Sequence, residues 1–151
     1  MKMTEKWETG TQIVKRSRVM TAERMRWYAD ALESCAQDDG HAVIAPLNIH
    51  TSDEIARDNG LPARVSDGMV STNWISTALT DVFGDSYLAT GSLLTRFRRP
   101  ILVDEKIDIQ ITVRAAEATP EGETFLTLDV ACVKSDGEVA TAGNATVVLG
   151  R

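Results

Sequence analysis

The sequence predicts an α+β fold: one opening strand, a helical middle holding one long helix, and four consecutive strands at the end. Three observations carry this. Lys106-Ile107-Asp108-Ile109-Gln110-Ile111-Thr112-Val113-Arg114 alternates polar and apolar without a fault, as a half-buried strand does. Ser135-Asp136-Gly137 places an Asp-Gly hairpin signal between two apolar-rich stretches, Phe125 to Val133 and Val139 to Leu149. Asp67 stands where a helix cap belongs, ahead of an unbroken helical stretch from Gly68 to about Phe83. Helices ahead of a run of antiparallel strands argue against an alternating βαβ array.

Each element has its own reason. Gln12 to Val19 reads as a short strand. Thr21 then caps a helix with Glu23 in its first turn, and Met25, Tyr28, Ala29 and Leu32 recur at i, i+3, i+4, i+7 down to about Cys35. Gln37-Asp38-Asp39-Gly40 ends it with turn chemistry. After a loop through Ala45-Pro46-Leu47, Thr51-x-x-Glu54 has the form of a capping box, opening a short helix from Ser52 to Asn59 that stops at Gly60. Leu61 to Ser66 is irregular. In the long helix, Met69, Val70, Trp74, Ala78, Leu79, Val82 and Phe83 spread widely around the wheel, so it is expected to be enclosed on most sides. Beyond Gly84 the character turns to β, with a strand expected over Tyr87 to Phe97 and Pro100 as its break.

The chain of 151 residues fits one domain, 1–151, able to bury a real core without staples. Acidic residues outnumber basic ones, 22 against 16, so the basic surplus of a nucleic-acid binder is missing. No apolar run approaches a membrane span, and charges occupy the first eight residues where a signal peptide needs an apolar stretch. Cys35 and Cys132 are too few and too far apart for a disulfide framework or zinc site and read as small buried apolar groups. A cytoplasmic, reduced protein is expected, without nucleic-acid or membrane partners.

No Walker loop, G-x-G-x-x-G, C-x-x-C, H-E-x-x-H or G-x-S-x-G is present, and His41 and His50 lack metal-ligand company, so no metal is expected. The informative stretch is Asn48 to Met69, N-I-H-T-S-D-E-I-A-R-D-N-G-L-P-A-R-V-S-D-G-M. It resembles the motif region of the MaoC-like dehydratases and (R)-specific enoyl-CoA hydratases, hotdog-fold enzymes acting on acyl thioesters. In that family a D-x-N-P-x-H segment is followed by an acidic residue, an alanine, a glycine and then H-G-M opening the central helix. His50 matches the histidine, Asp53, Ala56 and Gly60 follow in order, and Gly68-Met69 match the G-M. Phe83-Gly84 and Phe97-x-x-Pro100-Ile101 continue the likeness, which runs from about Thr21 onward. It implies a hotdog: a long central helix wrapped by an antiparallel sheet. It also implies a homodimer or higher oligomer, in which the sheet edge pairs with a second copy and the site lies at the junction. The departures are specific. The family's catalytic aspartate falls on Ala45, its asparagine on Leu47, its proline on Asn48, and the histidine of H-G-M on Asp67.

Adding water across an α,β-unsaturated thioester needs a base for the water, a proton for the α-carbon and a donor for the carbonyl oxygen that gains charge. His50 suits the base, because imidazole titrates near neutrality. The Gly68 N–H, at a helix N-terminus, suits the oxyanion. Asn48 can hydrogen-bond substrate or water, and Asp67, Asp38 and Asp39 are candidate proton donors by sequence proximity. Structural readings stand beside these: His50 satisfying its loop or joining the cap, Asp67 as a plain N-cap, Gly68 permitting close packing. Asn73, Trp74 and Trp27 read as core or interface, and His41 as structural or solvated. Arg96, Arg98 and Arg99 in T-R-F-R-R-P are candidates for the phosphates of coenzyme A or an acyl carrier's phosphopantetheine, taken as substrate carrier with no cofactor beyond it. Alternation puts Arg96 and Arg98 opposite Phe97; a solvated edge or ion pairs are the other reading.

Three functions remain open at this level. The leading one is hydration or dehydration of an enoyl or 3-hydroxyacyl thioester. A catalytically silent hotdog subunit, binding acyl thioester or completing a heterodimer whose partner supplies the aspartate missing at Ala45, is the second. The third is a thioesterase on the same scaffold.

Overall fold

The computed structural model describes residues 7–36 and 40–150. Asp38 and Asp39, with the expected turn at 37–39 and the chain start at 1–6, lie outside them. The elements run β1 (Gln12–Val19), α1 (Ala22–Cys35), α2 (Asp53–Asp58), α3 (Gly68–Phe83), α4 (Asp85–Thr90), β2 (Ser92–Phe97), β3 (Lys106–Ala118), β4 (Thr124–Lys134) and β5 (Val139–Leu149). The strands form one antiparallel sheet in the order β1-β3-β4-β5-β2, so β1 and β2 are its edges.

The period-2 alternation decides which face of this sheet is core. Ile107, Ile109, Ile111 and Val113 of β3, Leu126, Leu128, Val130 and Cys132 of β4, and Ala145 and Val147 of β5 all turn inward. Val70, Ile75, Ala78, Leu79 and Phe83 of α3 bury against them in one continuous cluster. Burying a Leu or Ile side chain stabilises by about 1.5–3 kcal/mol, so this interface dominates the fold. The Ser135-Asp136-Gly137 turn forms as expected, with Lys134 N–H donating to the Glu138 carbonyl at 2.8 Å.

Four local expectations change. The segment from Tyr87 was expected to be strand, but α4 occupies 85–90 and β2 begins only at Ser92. Gly84 is at once the C-cap of α3 and the N-cap of α4, and the N–H groups of Tyr87 and Leu88 bond its carbonyl, so a helical turn captures residues that alternation assigned to a strand. The short helix is capped by Ser52, which accepts from Ile55 N–H at 3.4 Å, because Thr51 is engaged elsewhere: its hydroxyl accepts from Asn48 N–H at 2.9 Å. The long helix is less enclosed than its composition suggests, since Met69, Asn73, Thr77 and Asp81 form an open stripe at four-residue intervals. Trp27, expected to pack, stands 61% exposed off the inner stripe of α1, whereas Trp74 does pack against the core.

Gly143 fixes how closely the edge strand β2 lies on β5. It pairs with Thr95, and a Cβ there would meet the Leu94 carbonyl oxygen at 1.8 Å, a backbone atom that no rotamer change can move. Gly143→Ala is therefore expected to lower stability by about 1–3 kcal/mol, seen as a lower denaturant midpoint, with β2 displaced from the sheet. An unchanged midpoint would show that β2 is not held this tightly.

Candidate functional site

The 48–51 turn is built by Asn48. Its side-chain oxygen accepts the His50 N–H at 2.8 Å, and its carbonyl accepts the N–H groups of Thr51 and Ser52. This presents His50, whose Nδ1 lies 2.8 Å from the Val65 carbonyl oxygen. A carbonyl only accepts, so Nδ1 carries a proton, and the neutral ring then has its lone pair at Nε2. The imidazole is thus set as a base at Nε2.

Val65 is itself held in place. Its N–H donates to the Ile49 carbonyl at 3.1 Å, and the neighbouring Arg64 is clamped by Asp53, which accepts from the Arg64 backbone N–H at 2.9 Å and from the guanidinium at 3.2 Å. Asp53, matched in sequence to the family's acidic residue, therefore ties α2 to the segment that orients His50. The Arg64 backbone N–H, followed by its guanidinium, holds the Asp53 carboxyl below the ordinary range.

Ala45 is buried, and both its backbone groups are engaged: its N–H donates to Asp30 at 2.8 Å and its carbonyl accepts from Arg26 at 2.7 Å. Arg26 and Asp30 pair with each other one helical turn apart on α1. The Ala45 N–H, with lesser help from Arg26, holds the Asp30 carboxyl low. Because Asp30 and Asp53 both have lowered folded-state pKa values, their stabilisation is complete above the ordinary carboxylate pKa and is lost as pH falls through the lowered values. The denaturant midpoint should fall below about pH 4, more steeply in the wild type than in Asp30→Asn/Asp53→Asn. Parallel curves for the two would refute the clamping role.

His50, Asn48, Asp67 and Ala45 meet around one cavity of about 70 Å³, whose far wall is Met25, Tyr28 and Leu32 of α1. Asp67 caps α3 by accepting from Met69 N–H at 2.8 Å and also lines a second cavity of about 300 Å³, with Gly68, Phe97, Arg98 and Arg99 around it. At the floor of this second cavity the buried hydroxyls of Ser71 and Thr141 lie 2.8 Å apart. Gly68, the first residue of α3, has an N–H with no intrahelical carbonyl to bond. A Cβ on Gly68 would meet the Phe97 ring at 2.8 Å, so the close-packing reading of this glycine holds whatever its N–H does.

The arginines divide. Arg98 and Arg99 follow the end of β2, both donate backbone N–H groups to the Ala140 carbonyl, and both line the larger cavity. Arg99 also pairs with Glu138 at 3.3 Å. Arg96 stays on β2 and, with Arg98 and Arg114, borders a groove on the outer face of the sheet instead. Arg98 lies just past the strand end, yet it and Arg96 border the same outer groove while Phe97 does not, as alternation puts them. His41 is exposed and lines neither cavity. Cys132 is buried as expected, its thiol pushed up to about 12 by burial, but Cys35 is exposed because it falls on the last, outward turn of α1. Among the described residues no group of three or more His, Cys, Asp or Glu is placed to hold a metal ion, and no helix is long and apolar enough to cross a membrane.

Tyr28 packs against the core, as its place in the apolar stripe of α1 implies, but sequence reasoning missed that it also borders the site. The residue is half-buried and lines the His50 cavity. Burial, and then the nearby Asp67 charge, raise its phenol pKa, with Asn73 of α3 working the other way. The available signal was a hydroxyl-bearing aromatic within an otherwise aliphatic stripe.

No family model and no curated protein matches the chain. Solved structures do. The chain is similar to a MaoC-like dehydratase from Rhodospirillum rubrum (TM-score 0.71, 16% identity, covering 97% of this chain and 95% of that one). It is similar to the (R)-hydratase from A. caviae involved in PHA biosynthesis (TM-score 0.70, 20% identity, covering 95% and 97%). A third likeness is to the C-terminally truncated HadBC (3R-hydroxyacyl-ACP dehydratase) complex from Mycobacterium tuberculosis (TM-score 0.65, 17% identity, covering 93% and 96%). With α3 laid across a five-stranded antiparallel sheet, the fold is a hotdog.

Proposed function

We propose that this hotdog chain is a hydratase/dehydratase of an α,β-unsaturated or 3-hydroxyacyl thioester. The observation that carries the reading is His50, locked by Val65 with Nε2 as its base nitrogen, in a cavity bounded by the residue that caps α3. In hydration the water oxygen bonds to C3 while Nε2 takes its proton. The C2=C3 π pair moves toward the thioester carbonyl, whose oxygen gains charge beside the Gly68 N–H and the positive end of α3. The imidazolium then returns a proton to C2, so H and OH are added and His50 is restored. Dehydration is the same path reversed. Arg98 and Arg99 at the larger cavity fit the phosphates of coenzyme A or of a carrier's phosphopantetheine, with Arg96 a more distant candidate. The Asp67 carboxylate already accepts the Met69 N–H, which supports its cap role over a proton-donor role.

The test is loss of the conjugated thioester absorbance over a panel of enoyl-CoA substrates, with free thiol followed in parallel. Absorbance loss without thiol release supports hydration; thiol release supports the thioesterase reading instead. One specific observation favours the silent-subunit reading: Ala45 stands where the resembling family has its aspartate, and both its backbone groups are already engaged. Under either reading a second hotdog chain, a copy or a different one, would pair along β2. That edge strand exposes Leu94 at 55% and Phe97 at 53%, apolar surface that a second chain would cover.

A further inference from the structure

The cavity of about 70 Å³ is small, holding a water and a few substrate atoms. An oxygen held by His50 Nε2 inside it is therefore within reach of the other groups on its wall. Asp67 and Glu33 present carboxylates, which accept but do not donate when ionised, and Asn48, its oxygen engaged by the His50 N–H, can donate only through its amide N–H groups from the same turn as His50. Tyr28 carries the one hydroxyl among the described residues lining the cavity. It stands on the α1 wall, in the cavity where Ala45 supplies no side-chain polar group.

We propose that Tyr28 is a catalytic residue whose phenol O–H donates a hydrogen bond to the oxygen that joins or leaves C3, opposite His50 Nε2. This rests on the hydratase/dehydratase reading. It supplies a second partner for the reacting oxygen in a site where the resembling family has an aspartate and this chain has Ala45. Burial and the Asp67 charge raise the phenol pKa, which favours the O–H form that can donate. The hydrogen bond shortens as charge builds on the hydroxyl oxygen during dehydration, and no net proton leaves Tyr28, so the balance of the His50 cycle is unchanged.

The chain has two tyrosines, Tyr28 and Tyr87, so the prediction is directly readable. In protein labelled with [13Cζ]tyrosine, adding 3-hydroxybutyryl-CoA should move the Tyr28 resonance and leave that of Tyr87 in place. Tyr28→Phe should lower kcat by about 10²-fold with KM within a few-fold of wild type, while the denaturant midpoint stays close to wild type because the ring is kept. If Tyr28→Phe turns over like wild type, or the Tyr28 resonance ignores a bound thioester, the role of Tyr28 is refuted. The hydratase reading then survives if His50→Gln is still inactive. If wild type neither binds nor turns over the thioester, both fall together. Should Tyr28→Phe fail to fold, the labelled wild type decides alone.

Discussion

His50→Gln lowers hydration of the best enoyl-CoA substrate by about 10²-fold or more, the usual contribution of a general acid–base group and equal to about 2.7 kcal/mol of barrier. Glutamine is the informative replacement because it retains length and a polar end, so the turn built by Asn48 can persist. What it lacks is a ring nitrogen that can take a proton from water and give one back. The loss should appear in kcat more than in KM, because the step removed is made in the transition state. Turnover indifferent to His50 would falsify the proposed mechanism and keep the reaction class. Absence of turnover in the wild type, together with stable binding to another hotdog chain, would select the silent-subunit reading built on Ala45.

How much of this was legible in the sequence depends on the range over which each signal acts. Strands β3 and β4 were readable because alternation is local and each inward residue, such as Ile109 or Leu128, is buried by the same pattern that announces it. Helix α4 was not readable, because Tyr87 and Leu88 suit a strand as well as a helix and the choice is made by the Gly84 carbonyl that their N–H groups find. Asn48, His50 and Asp67 were singled out from the chain, and the fold does bring them to one cavity. The locking of His50 by Val65, fifteen residues away, leaves no trace in local spacing. Nor does the anchoring of Ala45 by Asp30, since a carboxylate on α1 looks like any solvated charge until the loop arrives. The second role of Tyr28 was hidden for a related reason: periodicity names the helix face that packs on the core, but the cavity at its margin is made by the loop packed across it.

Leu128→Ala should reduce stability by about 2–5 kcal/mol, a large part of the roughly 5–15 kcal/mol that holds a domain of this kind. Leu128 is fully buried on β4, between β3 and β5, and pairs with Val113 and Ala145, so neighbours on both sides are fixed by sheet hydrogen bonds and collapse poorly into the space left. The expected signature is a lower denaturant midpoint at unchanged slope, because the native state keeps its fold and the transition stays cooperative. At temperatures well below the shifted melting point, turnover per folded molecule should remain near wild type, since Leu128 lines neither the cavity with His50 nor the one with Gly68. His50→Gln should behave in the opposite way, losing turnover at a nearly unchanged midpoint. If Leu128→Ala instead lost activity while still fully folded, the sheet would be transmitting its packing to the site. The separation of a rigid sheet-and-helix core from a locally locked histidine would then be wrong.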